Sequence, residues 1–138
     1  MDSYLITYPA FALIFLTLFL YVKNRIDAKN AYESKDIDPL YFKIYSGEAP
    51  HYLETSRQTL KNQFELPVLF YFYILLLMNF QNISILELIL CWLFSISRYI
   101  HAYIRLSSNY VPYRAMVFTF GFFIICILSI DILIRISL

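Results

Sequence analysis

The stretch from Tyr4 to Val22 reads YLITYPAFALIFLTLFLYV, and it decides the kind of fold because none of its 19 residues carries a charge. A helix needs roughly 20 apolar residues to cross the hydrocarbon core of a bilayer. No basic region precedes this run, and no small-residue cleavage site follows it. We therefore interpret it as a retained first membrane span and not as a cleaved signal peptide.

The composition of the whole chain agrees with a lipid environment. The 138 residues are 60% apolar, 20% aromatic and only 15% charged. A water-soluble domain carries about 25% charged residues, and disordered chains are poor in aromatic and aliphatic residues. The formal net charge of +1 gives no general attraction for nucleic acid, so none is expected as a partner. We expect a single membrane domain over residues 1–138, with membrane lipid around it.

Three further spans are predicted after the first, which covers about residues 4–22. The second helix is expected to begin near Pro50 and to cross the membrane over about residues 53–80, with Pro67 kinking it. The third and fourth spans are expected over about residues 83–106 and 113–136. The sequence therefore predicts an all-α, polytopic bundle of four transmembrane helices.

Basic residues are distributed unevenly between the predicted connections. The first connection carries seven, whereas the second carries none. Because basic excess marks the cytoplasmic side, both termini are expected to face away from the cytoplasm. The seven residues are Lys23, Arg25, Lys29, Lys35, Lys43, Arg57 and Lys61.

Some polar or reactive residues in the spans are interpreted as structural. Cys91 and Cys126 lie in apolar runs without metal-ligand spacing, so we expect buried thiols and no metal site. Glu87 is expected to have a structural or interfacial role. Asp131 and Arg135 stand four residues apart near the end of the fourth helix and can pair there.

Two polar groups are predicted to meet near the cytoplasmic ends of their helices. Asn62 and Glu65, at i and i+3, share a face of the second helix. Arg98, His101 and Arg105 form one stripe of the third helix, spanning about 10 Å. Charged side chains at membrane depth are costly and normally face the interior of the bundle. With Arg114 at the start of the fourth helix, these residues predict one polar pocket with net positive charge.

Two interpretations of this pocket remain open. Guanidinium groups bind carboxylates well, so an anionic ligand that carries carboxylates would suit it. Alternatively, Glu65 pairs with Arg98 to hold the helices together, and Arg105 and Arg114 reach out to lipid headgroups.

The order Asn62-x-x-Glu65-x-Pro67, then Arg98-x-x-His101 and then Arg114, resembles the MAPEG superfamily of membrane-associated proteins in eicosanoid and glutathione metabolism. The resemblance covers the whole chain and is strongest with bacterial members. It implies a four-helix subunit that assembles as a homotrimer. It also implies a bacterial inner membrane as the location, with glutathione bound between subunits near the cytoplasmic side.

The resemblance also implies roles for individual residues. The protein would be a glutathione-dependent transferase or peroxidase that acts on lipophilic electrophiles arriving from the bilayer. Arg114 would be the catalytic residue that stabilises the glutathione thiolate. The residues implied to bind glutathione are Asn62, Glu65, Arg98, His101, Lys61 and Arg105.

The chain departs from the catalytic members of this family at four positions. Gln58 stands where an arginine is common, and Arg105 where one branch has tyrosine. Ala115 and Phe118 replace residues that carry hydroxyl groups in that branch. These departures favour a second hypothesis, a non-catalytic lipid- or ligand-binding membrane protein of the same family. A purely structural membrane subunit is a third.

Overall fold

The structure, a computed structural model, describes residues 3–80 and 83–137 of the chain. Within these ranges every regular element is a helix and there is no strand, as the sequence predicted. A 3₁₀ turn over Ser3–Ile6 leads into the first helix, and a second 3₁₀ turn covers Asn62–Phe64. The α-helices are α1 (Thr7–Glu33), α2 (Tyr41–Ile44), α3 (His51–Lys61), α4 (Leu66–Leu77), α5 (Ile85–Leu106) and α6 (Val111–Ser137).

Three helical stretches in the described part of the chain are long and apolar enough to cross a membrane. They are Tyr4–Glu33, Ile85–Leu106 and Val111–Ser137. Large apolar side chains are exposed all along them, which suits a surface that faces lipid. The chain is therefore an integral, multi-pass membrane protein.

The second helix, which we expected to be kinked at Pro67, is broken two residues before it. The chain forms α3, then the 3₁₀ turn, and then α4, and Glu65 between the last two has non-helical angles of φ −102° and ψ −107°. Pro67 lies in the first turn of α4. It has no N–H to donate to the Gln63 carbonyl, and its ring would clash with that carbonyl in a continuous helix. Asn62 and Glu65 therefore lie on a break instead of on one regular helical face.

The polar first connection folds into a compact head instead of a loose loop. Helix α1 continues well past the first apolar run, where Lys23 donates to both oxygens of the buried Asp27 carboxylate at 2.6 and 2.5 Å. Asn24 Nδ2 donates to Ser56 Oγ at 3.1 Å and thereby joins α1 to α3. A small core separate from the membrane core stabilises this head, and it consists of Ala31, Ile37, Tyr41 and Leu53.

The main core lies between α1, α4, α5 and α6. Phe70 of α4 and Phe94 of α5 are fully buried, with ring centroids 4.7 Å apart. Ser95 Oγ of α5 also donates to the Pro9 carbonyl of α1 at 2.9 Å. These contacts fix the axial position of α5, and α5 carries the predicted Arg98, His101 and Arg105.

Helix α5 begins at a second polar region, which we call the Arg135 cluster (Glu87, Asp131 and Arg135). Ser84 caps α5 through a capping box, in which Glu87 Oε2 accepts from the Ser84 N–H at 2.5 Å. An Arg135 Nη2–Glu87 Oε1 ion pair of 2.7 Å and an Arg135 Nε–Asp131 Oδ2 bond of 3.3 Å join α5 to α6. The structural role of Glu87 and the Asp131–Arg135 pair are therefore confirmed.

Candidate functional site: a cationic cleft at the helix break

An open cleft of about 520 Å³ lies where α3 ends and α5 passes the break. Three of its side chains are cationic and one is a carboxylate, so its lining has an excess of two positive charges. Four of the predicted site residues line it directly, namely Lys61, Asn62, Glu65 and Arg105. The remaining lining residues are Tyr45, Arg57 and Gln58.

Arg105 is held by the two polar residues that face it from the end of α3. Its Nη2 donates to Gln58 Oε1. In the amide orientation that satisfies both groups, Asn62 Oδ1 accepts from Arg105 Nη1 at 3.1 Å, and Asn62 Nδ2 donates to the Gln58 carbonyl at 3.3 Å. Gln58 and Arg105, two positions where the chain departs from the family pattern, are therefore in direct contact. The Nε of Arg105 is buried and has no partner among the described residues.

Glu65 presents an exposed carboxylate to the cleft. No ion pair within 4.0 Å joins it to Arg98 or to any other cation in the part of the chain that the structure describes. Its charge still acts electrostatically on Arg98 and Arg105. The Glu65–Arg98 pair of the alternative interpretation is therefore not what holds these helices together, and the carboxylate is available to a ligand cation.

Arg98 and His101 lie behind the cleft and do not line it. Their side chains are 0% and 2% exposed, and Arg98 Nη2 lies 3.4 Å from His101 Nδ1. The ring of Phe118 packs against both, with its centroid 5.3 Å from the Arg98 guanidinium carbon and 5.9 Å from the imidazole. Arg98 Nε and Nη1 have no partner among residues 3–80 and 83–137. A buried cation without a paired carboxylate is costly, and it adds positive potential beside the cleft.

Gly121 of α6 allows the close approach that encloses Arg98. A Cβ at this position would lie 3.0 Å from Ser97 Oγ and 3.7 Å from Arg98 Nη1. An added Cβ would therefore crowd the Ser97 hydroxyl, which would have to shift beside the buried guanidinium.

Arg114, the predicted catalytic residue, is placed beside the cleft but outside its lining. Its Nη1 donates to Asn109 Oδ1 at 2.5 Å, in the turn that precedes α6. Its charge acts electrostatically on His101 and Arg105. The structure thus gives Arg114 an electrostatic influence on the site and a side chain bound to its own loop.

Tyr45 and Arg57 line the cleft, although the sequence pattern predicted no site role for either residue. Arg57 Nη2 donates to Glu54 Oε2 at 3.1 Å, and the i,i+3 spacing of these residues was the available signal. Tyr45 reaches the cleft because its backbone turns into the left-handed region, with φ at 50°. No residue pattern predicts that turn, since Tyr is not a residue that favours positive φ.

Comparison with known proteins identifies the family of the chain. The MAPEG family model matches residues 5–134, a range that includes the helix break and every residue of the cleft. No curated protein and no solved structure matches the chain. With 130 of the 138 residues matched, the chain belongs to the MAPEG family.

Proposed function

We propose that this protein is a membrane-embedded glutathione-dependent transferase or peroxidase that acts on lipophilic electrophiles. The single observation that carries the proposal is the cationic cleft, with its unpaired donors, at the break between α3 and α4. The MAPEG family includes glutathione transferases and peroxidases, which supports the assignment.

The residues of the cleft fit the groups of glutathione. This tripeptide carries two carboxylates, one ammonium, two peptide groups and a thiol. Lys61 and Arg105 would bind carboxylates, and Glu65 would bind the ammonium. The amides of Asn62 and Gln58 would bind the peptide groups. The buried Nε of Arg105, which has no partner among the described residues, is a donor that such a ligand would satisfy.

The chemistry requires a thiolate close to the membrane. A free thiol has a pKa of about 8.5, and nearby guanidinium groups favour its ionised form. Arg98, Arg105 and Arg114 together supply positive potential on the α5–α6 side of the cleft. In a transfer reaction the thiolate sulfur forms a bond to an electrophilic carbon while a leaving group, such as chloride, departs. In a peroxidase reaction two glutathione molecules reduce a hydroperoxide to an alcohol and water and become a disulfide.

We further propose that the end of α3, the 3₁₀ turn and α4 cross the membrane together as a broken fourth span. Helix α4 alone has 12 residues and is about 18 Å long, too short for a hydrocarbon core of about 30 Å. Irregular backbone at membrane depth is tolerated where it lines a polar cavity, and the break lines the cleft.

A homotrimer in a bacterial inner membrane is proposed on the family resemblance. With four spans both termini lie on the same side, and the basic first connection then places them away from the cytoplasm.

The test of this function is glutathione binding by calorimetry to the detergent-purified protein, with thiolate absorbance followed in the same sample. Turnover is then measured with chlorodinitrobenzene and with cumene hydroperoxide. We expect saturable binding that weakens at least tenfold in Arg105→Gln and in Glu65→Gln. Arg25→Gln is the matched control, because Arg25 is exposed on α1 and does not line the cleft. Absence of binding at millimolar glutathione would overturn the proposal.

Arg114 has a separate test, because it acts on the site only through its charge. Arg114→Ala should lower the thiolate absorbance and the turnover rate while leaving glutathione affinity within about twofold. If turnover is unchanged, Arg114 has no part in the chemistry.

The second candidate function is non-catalytic binding of a lipid or lipophilic ligand. The specific observation in its favour is the absence of a hydroxyl at Ala115 and Phe118, since the Phe118 ring covers Arg98 and His101. An apolar groove of about 360 Å³ between α5 and α6, with Leu93 and Phe120 among its walls, also suits an acyl chain. Lipid retained at a defined stoichiometry in native mass spectra, without glutathione affinity, would favour this function over the first.

A further inference from the structure

Arg57 is the lining cation that two aromatic rings and a carboxylate hold in place. Its guanidinium carbon lies 5.6 Å from the ring centroid of Tyr41 and 5.1 Å from that of Tyr45. Its Nη2 donates to Glu54 Oε2 at 3.1 Å, and the hydroxyl of the buried Tyr41 donates to the other carboxylate oxygen of Glu54. Two rings and one carboxylate therefore orient the guanidinium before any ligand arrives.

The guanidinium of Arg57 also has one nitrogen that makes no hydrogen bond in the described structure. Its Nη1 is buried without a partner among the described residues, although Arg57 lines the cleft. Glu54 occupies one edge of the guanidinium and does not line the cleft. An unpaired buried donor costs about 1–3 kcal/mol, which a ligand acceptor would offset.

The other cations that line the cleft are less suited to bind a carboxylate side-on. Arg105 already uses both terminal nitrogens on Gln58 and Asn62, so only its Nε is left. Lys61 is a compact charge on a flexible stem and has no planar fork. Arg57 is thus the lining cation with an uncommitted terminal guanidinium nitrogen in the described structure.

We propose that Arg57, oriented by Tyr41, Tyr45 and Glu54, recognises a carboxylate of the anionic ligand and sets the specificity of the cleft for free carboxylates. This inference rests on the proposed function for the identity of the ligand. The Tyr45 ring, exposed at the mouth of the cleft, forms the second wall of the same carboxylate subsite.

The experiment compares two ligands on four proteins. Glutathione and its diethyl ester, which lacks both free carboxylates, are titrated calorimetrically into wild type, Arg57→Gln, Arg57→Lys and the control Arg25→Gln. We expect Arg57→Gln to weaken glutathione binding at least tenfold while binding of the ester changes less than twofold. Arg57→Lys should recover only part of the loss, because a point charge cannot replace the planar fork. A purely structural role would weaken both ligands equally and would overturn the proposal.

A second measurement tests the carboxylate subsite at Arg57 if glutathione does not bind at all. The midpoint of thermal unfolding is followed as succinate, a simple dicarboxylate, is added to wild type and to Arg57→Gln. A rise in wild type that is absent in Arg57→Gln supports a carboxylate subsite even though the proposed function has then failed. Equal rises in both proteins, or no rise in either, overturn the subsite.

Discussion

The two polar regions at opposite ends of α5 contain similar charged groups but differ in how those groups are paired. In the Arg135 cluster, the Arg135 guanidinium lies between two carboxylates, at 2.7 Å from Glu87 and 3.3 Å from Asp131. Glu87 also closes a capping box at the start of α5. Each charged group of this region therefore has a partner of opposite sign within the chain, although two carboxylates share one guanidinium.

At the cleft, Arg57 pairs with Glu54, but the other arginines have no carboxylate partner in the described structure. Arg57, Arg98 and Arg105 each keep at least one nitrogen without a partner in the described structure, and no carboxylate pairs with Arg98 or Arg105 there. Glu65, the acid that lines the cleft, is exposed and has no ion-pair partner within the same part of the chain. A charge at membrane depth therefore stabilises the fold when the same chain supplies a partner of opposite charge. Where partners are missing, the chain maintains a site at a cost in stability.

The largest expected effect comes from breaking the matched region. Arg135→Met would leave the Glu87 carboxylate buried without its counter-charge, so we expect a loss of about 3 kcal/mol in the free energy of unfolding. Equilibrium unfolding in mixed micelles measures this loss. Glutathione affinity should stay unchanged. A loss below about 1 kcal/mol would show that the Arg135 cluster contributes little to stability.

The same kind of substitution at the cleft should change the free energy of unfolding in the opposite direction or leave it unchanged. Arg98→Met removes a buried cation that has no carboxylate partner, so we expect stability to stay equal or to rise by about 1–2 kcal/mol. The thiolate absorbance of bound glutathione should fall, because positive potential beside the cleft is lost. If Arg98→Met is strongly destabilised, the arginines of both regions stabilise the fold and the proposed difference between the regions is wrong.

A smaller effect is expected where α6 approaches the buried guanidinium. Gly121→Ala should cost about 1 kcal/mol, because the new Cβ would lie 3.0 Å from Ser97 Oγ. The double variant Gly121→Ala with Ser97→Ala removes that oxygen and should recover most of the loss, as measured by thermal unfolding. If the double variant is no more stable than Gly121→Ala alone, the Ser97 contact is not the cause.

A pH-dependent effect is expected in the head, which carries the Arg57 wall of the cleft. Burial raises the pKa of Tyr41 from 10.0 to about 12, and the hydrogen bond to Glu54 adds to the rise. The folded state therefore holds this proton more tightly than the unfolded state. The stability that neutral Tyr41 contributes is complete below pH 10 and is lost as the pH rises through about 12.

This pH dependence can be measured as the difference in unfolding free energy between wild type and Tyr41→Phe from pH 9 upward. The gap between the two proteins should shrink steadily as the pH rises. A constant gap would mean that Tyr41 ionises alike in both states.

The amino-acid sequence is enough to assign the membrane class, the all-helical architecture and the family motifs. Long uncharged runs such as residues 4–22 have one stable solution in lipid, because a helix satisfies its own backbone hydrogen bonds. The meeting of Asn62, Glu65 and Arg105 was expected because charges at membrane depth turn inward. The i,i+3 spacing of Asn62 and Glu65 was not the reason, since they do not lie on one helical face. The structural role of Glu87 and the Asp131–Arg135 pair were also predictable from the sequence, because helix capping and i,i+4 pairing depend only on residues close together in the chain.

Tertiary structure alone decided which charges are matched and which are left unpaired. Two features show this: the position of Tyr45 at the cleft and the burial of Arg98 behind Phe118. Each depends on how separate helices pack, and local residue preferences do not encode distances between elements far apart in the chain. The contact between Gln58 and Arg105 has the same origin, because it joins α3 to α5 across 47 residues.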